Sequence, residues 1–123
     1  MVDFSEENKL ITKLWPNDSL LELRGSSASW IKRYINSPSN SMTLICQDPG
    51  EGNRRHYHRD WDEWWFIIKG KWLFEIEGEE YEINTGDLVF IERNKIHKIT
   101  CIGDIPAIRM AVSRADVDHI YVE

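Results

Sequence analysis

Four residues in the middle of the chain have the types and the spacing of metal ligands. His56 and His58 are separated by one residue, so on a β-strand both side chains project from the same face. Glu63 follows after four residues and could return to the same pocket across a small turn, and His97 lies on a later β-forming run. Three neutral imidazoles and one carboxylate suit the divalent ions of Fe, Mn, Ni, Cu or Zn. We therefore predict a transition-metal site at these four residues, with one or two positions left for water, dioxygen or substrate.

Short β-forming runs must position these ligands. From Leu20 to Ser113 such runs alternate with turn residues every eight to twelve residues, which is typical of an all-β sandwich or barrel. No helix of three turns or more fits this stretch. We predict strands at residues 20–24, 30–35, 42–47, 55–58, 62–68, 72–77, 81–83, 88–91, 97–102 and 107–113. The tail, residues 114–123, is weakly patterned and receives no assignment.

Alternating side chains predict which face of each strand is buried. In one predicted strand Trp72, Phe74 and Ile76 alternate with acidic residues, so these three side chains face the core. In the preceding strand Glu63 shares a face with Trp65, and the opposite face is also apolar. A strand with two apolar faces needs cover on both sides, from a second sheet or from another subunit. We therefore expect a homodimer.

The ligand residues also carry a resemblance to a known family, the cupins. The first cupin motif runs Gly, five residues, His-x-His, three or four residues, Glu, six residues, Gly. This chain has Gly50, His56-Tyr57-His58, Glu63 and Gly70 at those spacings and matches every anchor.

The second cupin motif is kept in spacing and altered in composition. It runs Gly, five residues, Pro-x-Gly, two residues, His, three residues, Asn. Gly86 and His97 hold their places, whereas Glu92 stands for Pro, Asn94 for Gly and Cys101 for Asn. Asn is the best substitute for Gly where φ is positive, so we expect the turn at Asn94 to survive.

The resemblance implies a double-stranded β-helix, or jelly-roll barrel, over residues 20–123, preceded by an N-terminal extension at residues 1–19. A capping-box pattern, Asp3 with Glu6, predicts a short helical turn in that extension. In metal-bearing cupins three His and one Glu bind the ion at the barrel mouth, and all four are present here. The family includes dioxygenases, isomerases, epimerases, lyases and non-enzymatic proteins, so the fold alone does not determine the function.

Other side chains near these motifs have two interpretations. Trp65, Trp72 and Cys101 are predicted to face inward, where they either pack the core or line an apolar substrate pocket. His119 has no partner pattern and is expected at the surface rather than on the metal.

Several arginines also need an interpretation. Arg54, Arg55 and Arg59 flank the first motif and either attract an anionic substrate or, as we expect, are solvated surface charges. On the last predicted strand Ile108, Met110 and Val112 form an apolar face, and Arg109 lies on the opposite face.

Composition excludes several classes of protein. The length of 123 residues suits one domain. The longest purely apolar stretch, residues 64–68, has five residues, whereas a membrane-spanning helix needs about 20. No secretory signal is visible, and the net charge of −6 disfavours nucleic-acid binding. Two cysteines fit free thiols in a reducing cytoplasm, where we expect the protein.

The functional expectation is a metal-dependent enzyme that acts on a small organic molecule. A dioxygenase or other oxygenase with Fe(II) is the first choice, and Zn, Ni, Mn or Cu fit the same donors. Glu63 would be both a ligand and the catalytic base. The alternatives are a metal-dependent isomerase or lyase, or a non-catalytic module that binds a small molecule.

Overall fold

The computed structural model describes residues 29–114 and 118–123. The predicted N-terminal extension at residues 1–19, with its helical turn, and the predicted strand at residues 20–24 lie outside the described residues.

The described residues form ten strands and contain no helix. The strands are β1 Trp30–Asn36, β2 Ser41–Gln47, β3 His56–Tyr57, β4 Glu63–Lys69, β5 Lys71–Ile76, β6 Glu79–Asn84, β7 Leu88–Ile91, β8 His97–Ile102, β9 Ala107–Ser113 and β10 Ile120–Tyr121. The strands β1 to β9 correspond to the nine predicted strands between residues 30 and 113, and β7, β8 and β9 have the predicted bounds. The strand β10 lies in the tail that the sequence left unassigned. Since this part of the chain has no helix, it also has none that could cross a membrane.

The strands form two five-stranded antiparallel sheets. One sheet has the order β1-β2-β9-β4-β7 and the other has the order β10-β3-β8-β5-β6. Their inner faces enclose one core, built from Trp65, Ile67, Trp72, Phe74, Ile83, Val89, Ile91, Ile99, Cys101 and Ala107. This arrangement is the predicted all-β jelly-roll barrel.

The predicted inward side chains are confirmed. Trp72 and Phe74 are buried in the core and Ile76 packs against it. On β4, Glu63 and Trp65 share the face that looks into the barrel, because side chains alternate along a strand.

The outer face of β4 is apolar and only partly covered. Trp64 pairs with Phe90 and Phe66 pairs with Leu88 across β4 and β7. Phe66, Leu88 and Phe90 are exposed and Trp64 is half-buried. The second sheet covers the inner face of β4. The homodimer was predicted because the outer face also needs cover, and this stays a prediction.

The turn between β7 and β8 keeps the geometry expected from its sequence. Asn94 has φ 70°, the left-handed conformation that the substitution of Gly by Asn predicted. Its N–H donates to the carbonyl of His58 at 2.6 Å. The turn that leads into His97 is thereby tied to the segment that carries His58.

Candidate metal centre

Strand pairing brings the predicted ligands to one end of the barrel. His56 opens β3, His97 opens β8, and these two residues are direct partners in the antiparallel ladder. His58 follows β3, and Glu63 opens β4 in the opposing sheet. The ends of three strands therefore place the four side chains together, although His97 follows His56 by 41 positions in the sequence.

The three histidines form a compact buried cluster. His56, His58 and His97 are exposed by only 1%, 3% and 1%. One ring nitrogen from each lies within 4.8 Å of the other two. Glu63 Oε1 lies 3.1 Å from His58 Nε2 and 3.9 Å from His97 Nε2. The structure therefore brings together all four residues that the sequence singled out.

Main-chain carbonyls fix the orientation of each imidazole. His56 Nδ1 lies 2.5 Å from the Arg54 carbonyl oxygen, His58 Nδ1 lies 2.6 Å from that of Asp118, and His97 Nδ1 lies 2.9 Å from that of Lys95. A carbonyl oxygen can only accept, so each Nδ1 carries the proton and donates. In the neutral ring the lone pair is then on Nε2, which is the arrangement found in metal-ligating histidines.

The donor set fits a metal ion. His97 Nε2 is buried and has no hydrogen-bond partner among the described residues. A buried acceptor without a partner is costly in a folded protein. Three imidazole nitrogens beside one carboxylate oxygen match the preferences of divalent first-row transition metals. The three buried histidines could therefore hold a metal ion, and its identity does not follow from the donor types.

Burial keeps two of the histidines neutral. It lowers the pKa of His56 to about 4, against an ordinary value of 6.5. Burial also lowers the pKa of His97. Both rings are therefore unprotonated at neutral pH and need not release a proton before they bind a cation.

His58 and Glu63 behave as a coupled pair. Burial alone would lower the pKa of His58, but hydrogen bonds to Glu63 and to the Asp118 carbonyl outweigh it and raise this pKa. Burial would raise the pKa of Glu63, but the hydrogen bond and charge of His58 lower it. Glu63 is therefore a carboxylate at neutral pH. In the metal-free protein the negative charge of Glu63 favours the protonated form of His58. The positive charge of that proton then takes the place of a bound cation.

Trp65 orients the carboxylate of Glu63. Its indole Nε1 donates to Glu63 Oε2 at 3.0 Å. The other oxygen, Oε1, is the one directed to His58 and His97. Trp65 also meets His97 edge to face, with ring centroids 5.9 Å apart. One tryptophan thus positions Glu63 and packs against a histidine of the cluster.

The other two candidate pocket residues lie deeper in the barrel. Trp72 and Cys101 are direct partners across β5 and β8, and both are fully buried in the core. Burial raises the pKa of the Cys101 thiol, which therefore stays protonated. Cys46 is likewise a free buried thiol. The role of Trp65, Trp72 and Cys101 in binding a substrate stays a prediction.

The C-terminal segment, residues 118–123, contributes to the centre in a way that the sequence did not indicate. Strand β10 pairs with β3, which places Tyr121 opposite His56. The Asp118 carbonyl accepts from His58. His119 is exposed, as expected, yet its ring centroid lies 5.0 Å from that of His56 and 4.7 Å from that of His58. A main-chain acceptor leaves no pattern in a sequence, so these contacts could not be predicted.

The arginines that flank the first motif anchor this segment. Arg55 pairs with Glu75 at 2.8 Å and with Glu123 at 3.0 Å. Arg54 lies 4.1 Å from the Tyr121 ring centroid, and Arg59 meets Asp118 at 3.4 Å. Arg54 and Arg59 are exposed, as expected, while Arg55 is half-buried. The prediction of solvated charges was therefore incomplete, because these side chains pair with the C-terminal segment.

Comparison with known proteins places the chain among related sequences. The family model described as Cupin domain matches residues 43–113. The chain is 29% identical to the tetracenomycin polyketide synthase protein TcmJ of Streptomyces glaucescens, over 72% of this chain and 63% of that protein. It is 33% identical to the acireductone dioxygenase of Bacillus mycoides, over 81% of this chain and 60% of the enzyme. The chain thus spans 58 to 63% of the length of the curated relatives it matches.

A solved structure shares the fold. A sugar phosphate isomerase from a cupin superfamily, from Silicibacter pomeroyi DSS-3, superposes with a TM-score of 0.64 at 21% identity. The match covers 69% of this chain and 57% of that one. A likeness at this level of identity shows a common fold and carries no activity with it.

Proposed function

Because the chain belongs to the cupin family, we propose that its barrel mouth is a metal centre and that the protein is an oxygenase of a small organic molecule. The observation that carries the proposal is the cluster of His56, His58 and His97, in which one ring nitrogen of each lies within 4.8 Å of the others and Nε2 of His58 and His97 lie near the carboxylate of Glu63. All three Nδ1 atoms are occupied by main-chain carbonyls. The Nε2 atoms are therefore the nitrogens left to bind an ion.

Four side chains of this chain would hold the ion. His56, His58 and His97 would bind through Nε2, and Glu63 would bind through Oε1. A bound divalent ion, Fe(II) as first choice, supplies redox and Lewis-acid chemistry at neutral pH. The similarity to acireductone dioxygenase supports oxygen chemistry over the other activities of the family.

Glu63 would have a second task as a base. The hydrogen bond and charge of His58 keep its pKa low, so the carboxylate is ionised at neutral pH. Trp65 holds Oε2, so Oε1 would be the oxygen that accepts a proton from a substrate once Glu63 has left the ion. Trp65 thus acts as a positioning residue for Glu63.

Oxygen consumption tests this proposal. The Fe(II)-loaded protein is supplied with thiols, diols, catechols and 1,3-diketones, and oxygen uptake is followed with an electrode. We expect uptake with at least one class of substrate. If a fully loaded protein takes up no oxygen with any compound of the panel, the oxygenase proposal is rejected. Isomerisation or elimination of a carbonyl substrate by the same protein would then assign Lewis-acid chemistry.

A variant separates the two tasks of Glu63. Glu63→Gln keeps the size of the side chain and removes its charge, and we expect turnover to fall by about 100-fold or more while part of the metal is retained. The matched control is Glu92→Gln, an exposed position on the adjacent turn, which should leave turnover unchanged. Equal loss of metal and of turnover in Glu63→Gln would mean that Glu63 only holds the ion.

A further inference from the structure

A buried cation lies inside the barrel, on a strand that carries none of the candidate metal ligands. Arg109 is in the middle of β9 and is 0% exposed. It lies on the face opposite Ile108, as the sequence predicted, and that face looks into the barrel. The guanidinium Cζ lies 4.6 Å from the ring centroid of Trp72 and 5.5 Å from that of Trp65. Two indoles thus flank one guanidinium.

Only part of this guanidinium is satisfied by the protein. Nη1 donates to Gln47 Oε1 at 2.6 Å. Nε and Nη2 are buried and have no hydrogen-bond partner among the described residues. These two nitrogens share one edge of the planar group, and their N–H bonds point in parallel. This edge is the fork that binds two oxygens of a carboxylate.

The charge of Arg109 also lacks a direct partner. Burial lowers the pKa of Arg109 to about 10, against the opposing effect of the Glu63 charge, so the group is still a cation at neutral pH. No carboxylate forms an ion pair with it in the part of the chain that the structure describes. Trp72 Nε1 is a further buried donor without a partner in these residues. Burying a charge is costly unless it is paired, and the unpaired groups here are all donors.

We propose that Arg109 is the receptor for the carboxylate of a small organic acid, which its Nε and Nη2 bind as a fork. Gln47 fixes the plane of the guanidinium from the opposite side and leaves Nε and Nη2 without a hydrogen-bond partner among the described residues. Trp65 connects the anion site with the metal centre, because its ring packs near Arg109 and its Nε1 holds Glu63. The anion site stands without a metal. Its assignment as the substrate subsite, which would make the substrate an organic acid, rests on the proposed function.

The test uses acetate as the probe and acetamide as its uncharged analogue. Metal-free protein is titrated with each, and the ¹H–¹⁵N resonance of Arg109 Nε is followed together with the fluorescence of the flanking indoles. We expect acetate to move the Nε resonance with saturation and to change the fluorescence, and acetamide to do neither. An unmoved resonance, an equal response to acetamide, or the same saturable shift with sodium chloride would overturn the carboxylate site.

Two variants connect the response to the fork. Gln47→Met removes the acceptor that sets the guanidinium plane, and acetate binding should weaken by about tenfold. Arg109→Lys keeps the charge without the fork and should abolish the saturable response, whereas Arg93→Lys, at an exposed arginine paired with Asp62, should keep it. If Arg109→Lys does not fold, the wild-type and Gln47→Met titrations still decide.

The two proposals can fail separately. Acetate binding by a protein that takes up no metal would reject the metal centre and keep the anion site. Metal-dependent oxygen uptake by a protein whose Arg109 resonance does not respond to acetate would reject the anion site and keep the metal centre.

Discussion

His58 Nδ1 lies 2.6 Å from the main-chain carbonyl oxygen of Asp118, a residue 60 positions further along the chain. This contact fixes the tautomer of a candidate ligand from outside both sequence motifs. Strand β10 follows directly and pairs with β3, and Glu123 closes the segment on Arg55. The C-terminal segment therefore supports the candidate metal centre.

Removing residues 118–123 should weaken metal binding. The deletion takes away the carbonyl that orients His58, and the loss of such an outer partner typically costs about 10- to 100-fold in metal affinity. The measurement is a competition titration with a chromogenic chelator. Asp118→Ala is the matched control, since it removes only the exposed side chain that pairs with Arg59 and keeps the carbonyl. If the shortened protein binds the metal as tightly as the wild type, the segment does not support the centre.

Acid should destabilise the metal-free protein through its buried neutral histidines. The pKa of His56 falls from 6.5 in the unfolded chain to about 4 in the folded one, and burial also lowers that of His97. Between pH 6.5 and about 4 the unfolded state binds more protons than the folded state, so the free energy of unfolding falls as the pH falls. His56 alone accounts for up to about 3 kcal/mol of this loss.

The other half of the cluster does not oppose this trend in the same window. The pKa of His58 is raised, so its contribution is fully present below 6.5 and is lost only as pH rises through its folded value. The pKa of Glu63 is lowered, so its contribution is lost only below 4.5. Urea denaturation of chelator-treated protein between pH 6.5 and 4.5 measures the slope. His56→Gln should flatten it, and an unchanged slope in that variant would contradict the assignment.

Gly70 should be intolerant of a side chain for two separate reasons. Its φ of +86° is left-handed, and an added Cβ would lie 2.6 Å from the Cβ of Ala107. Gly70→Ala should therefore cost about 2–4 kcal/mol of unfolding free energy, because conformational strain and overpacking add. Gly78 has φ +85° with nothing within 4 Å of an added Cβ. Gly78→Ala should cost only about 1 kcal/mol. Equal losses by urea denaturation would mean that the contact with Ala107 relaxes freely.

Local patterns were sufficient to predict strands β1 to β9 and the grouping of the three histidines with Glu63. Alternation predicted the inner faces of β4 and β5, because one inward residue sets the parity of its whole strand. The left-handed turn at Asn94 was predicted from residue type and then observed. The histidines could be grouped because their spacing defines a motif, although only the pairing of β3 with β8 shows that His56 and His97 meet.

The remaining features depend on tertiary contacts that carry no sequence signal. The Asp118 carbonyl is a main-chain group, and any residue type at position 118 would offer it. The alternation along β9 placed Arg109 on the face opposite Ile108, but it could not show that this face is the interior of the barrel. A charged residue is rarely buried, and the supporting contacts with Gln47 and Trp72 come from two different strands.

Elemental analysis of the protein, purified without a histidine tag, tests the central claim most directly. We predict about one equivalent of a divalent transition metal per chain. His97→Ala removes a buried ligand and should lose the metal, whereas His119→Ala, at an exposed neighbouring ring, should keep it. The account would be contradicted by a wild-type protein that holds no metal and takes up none on reconstitution. Equal metal content in His97→Ala and the wild type would contradict it as well.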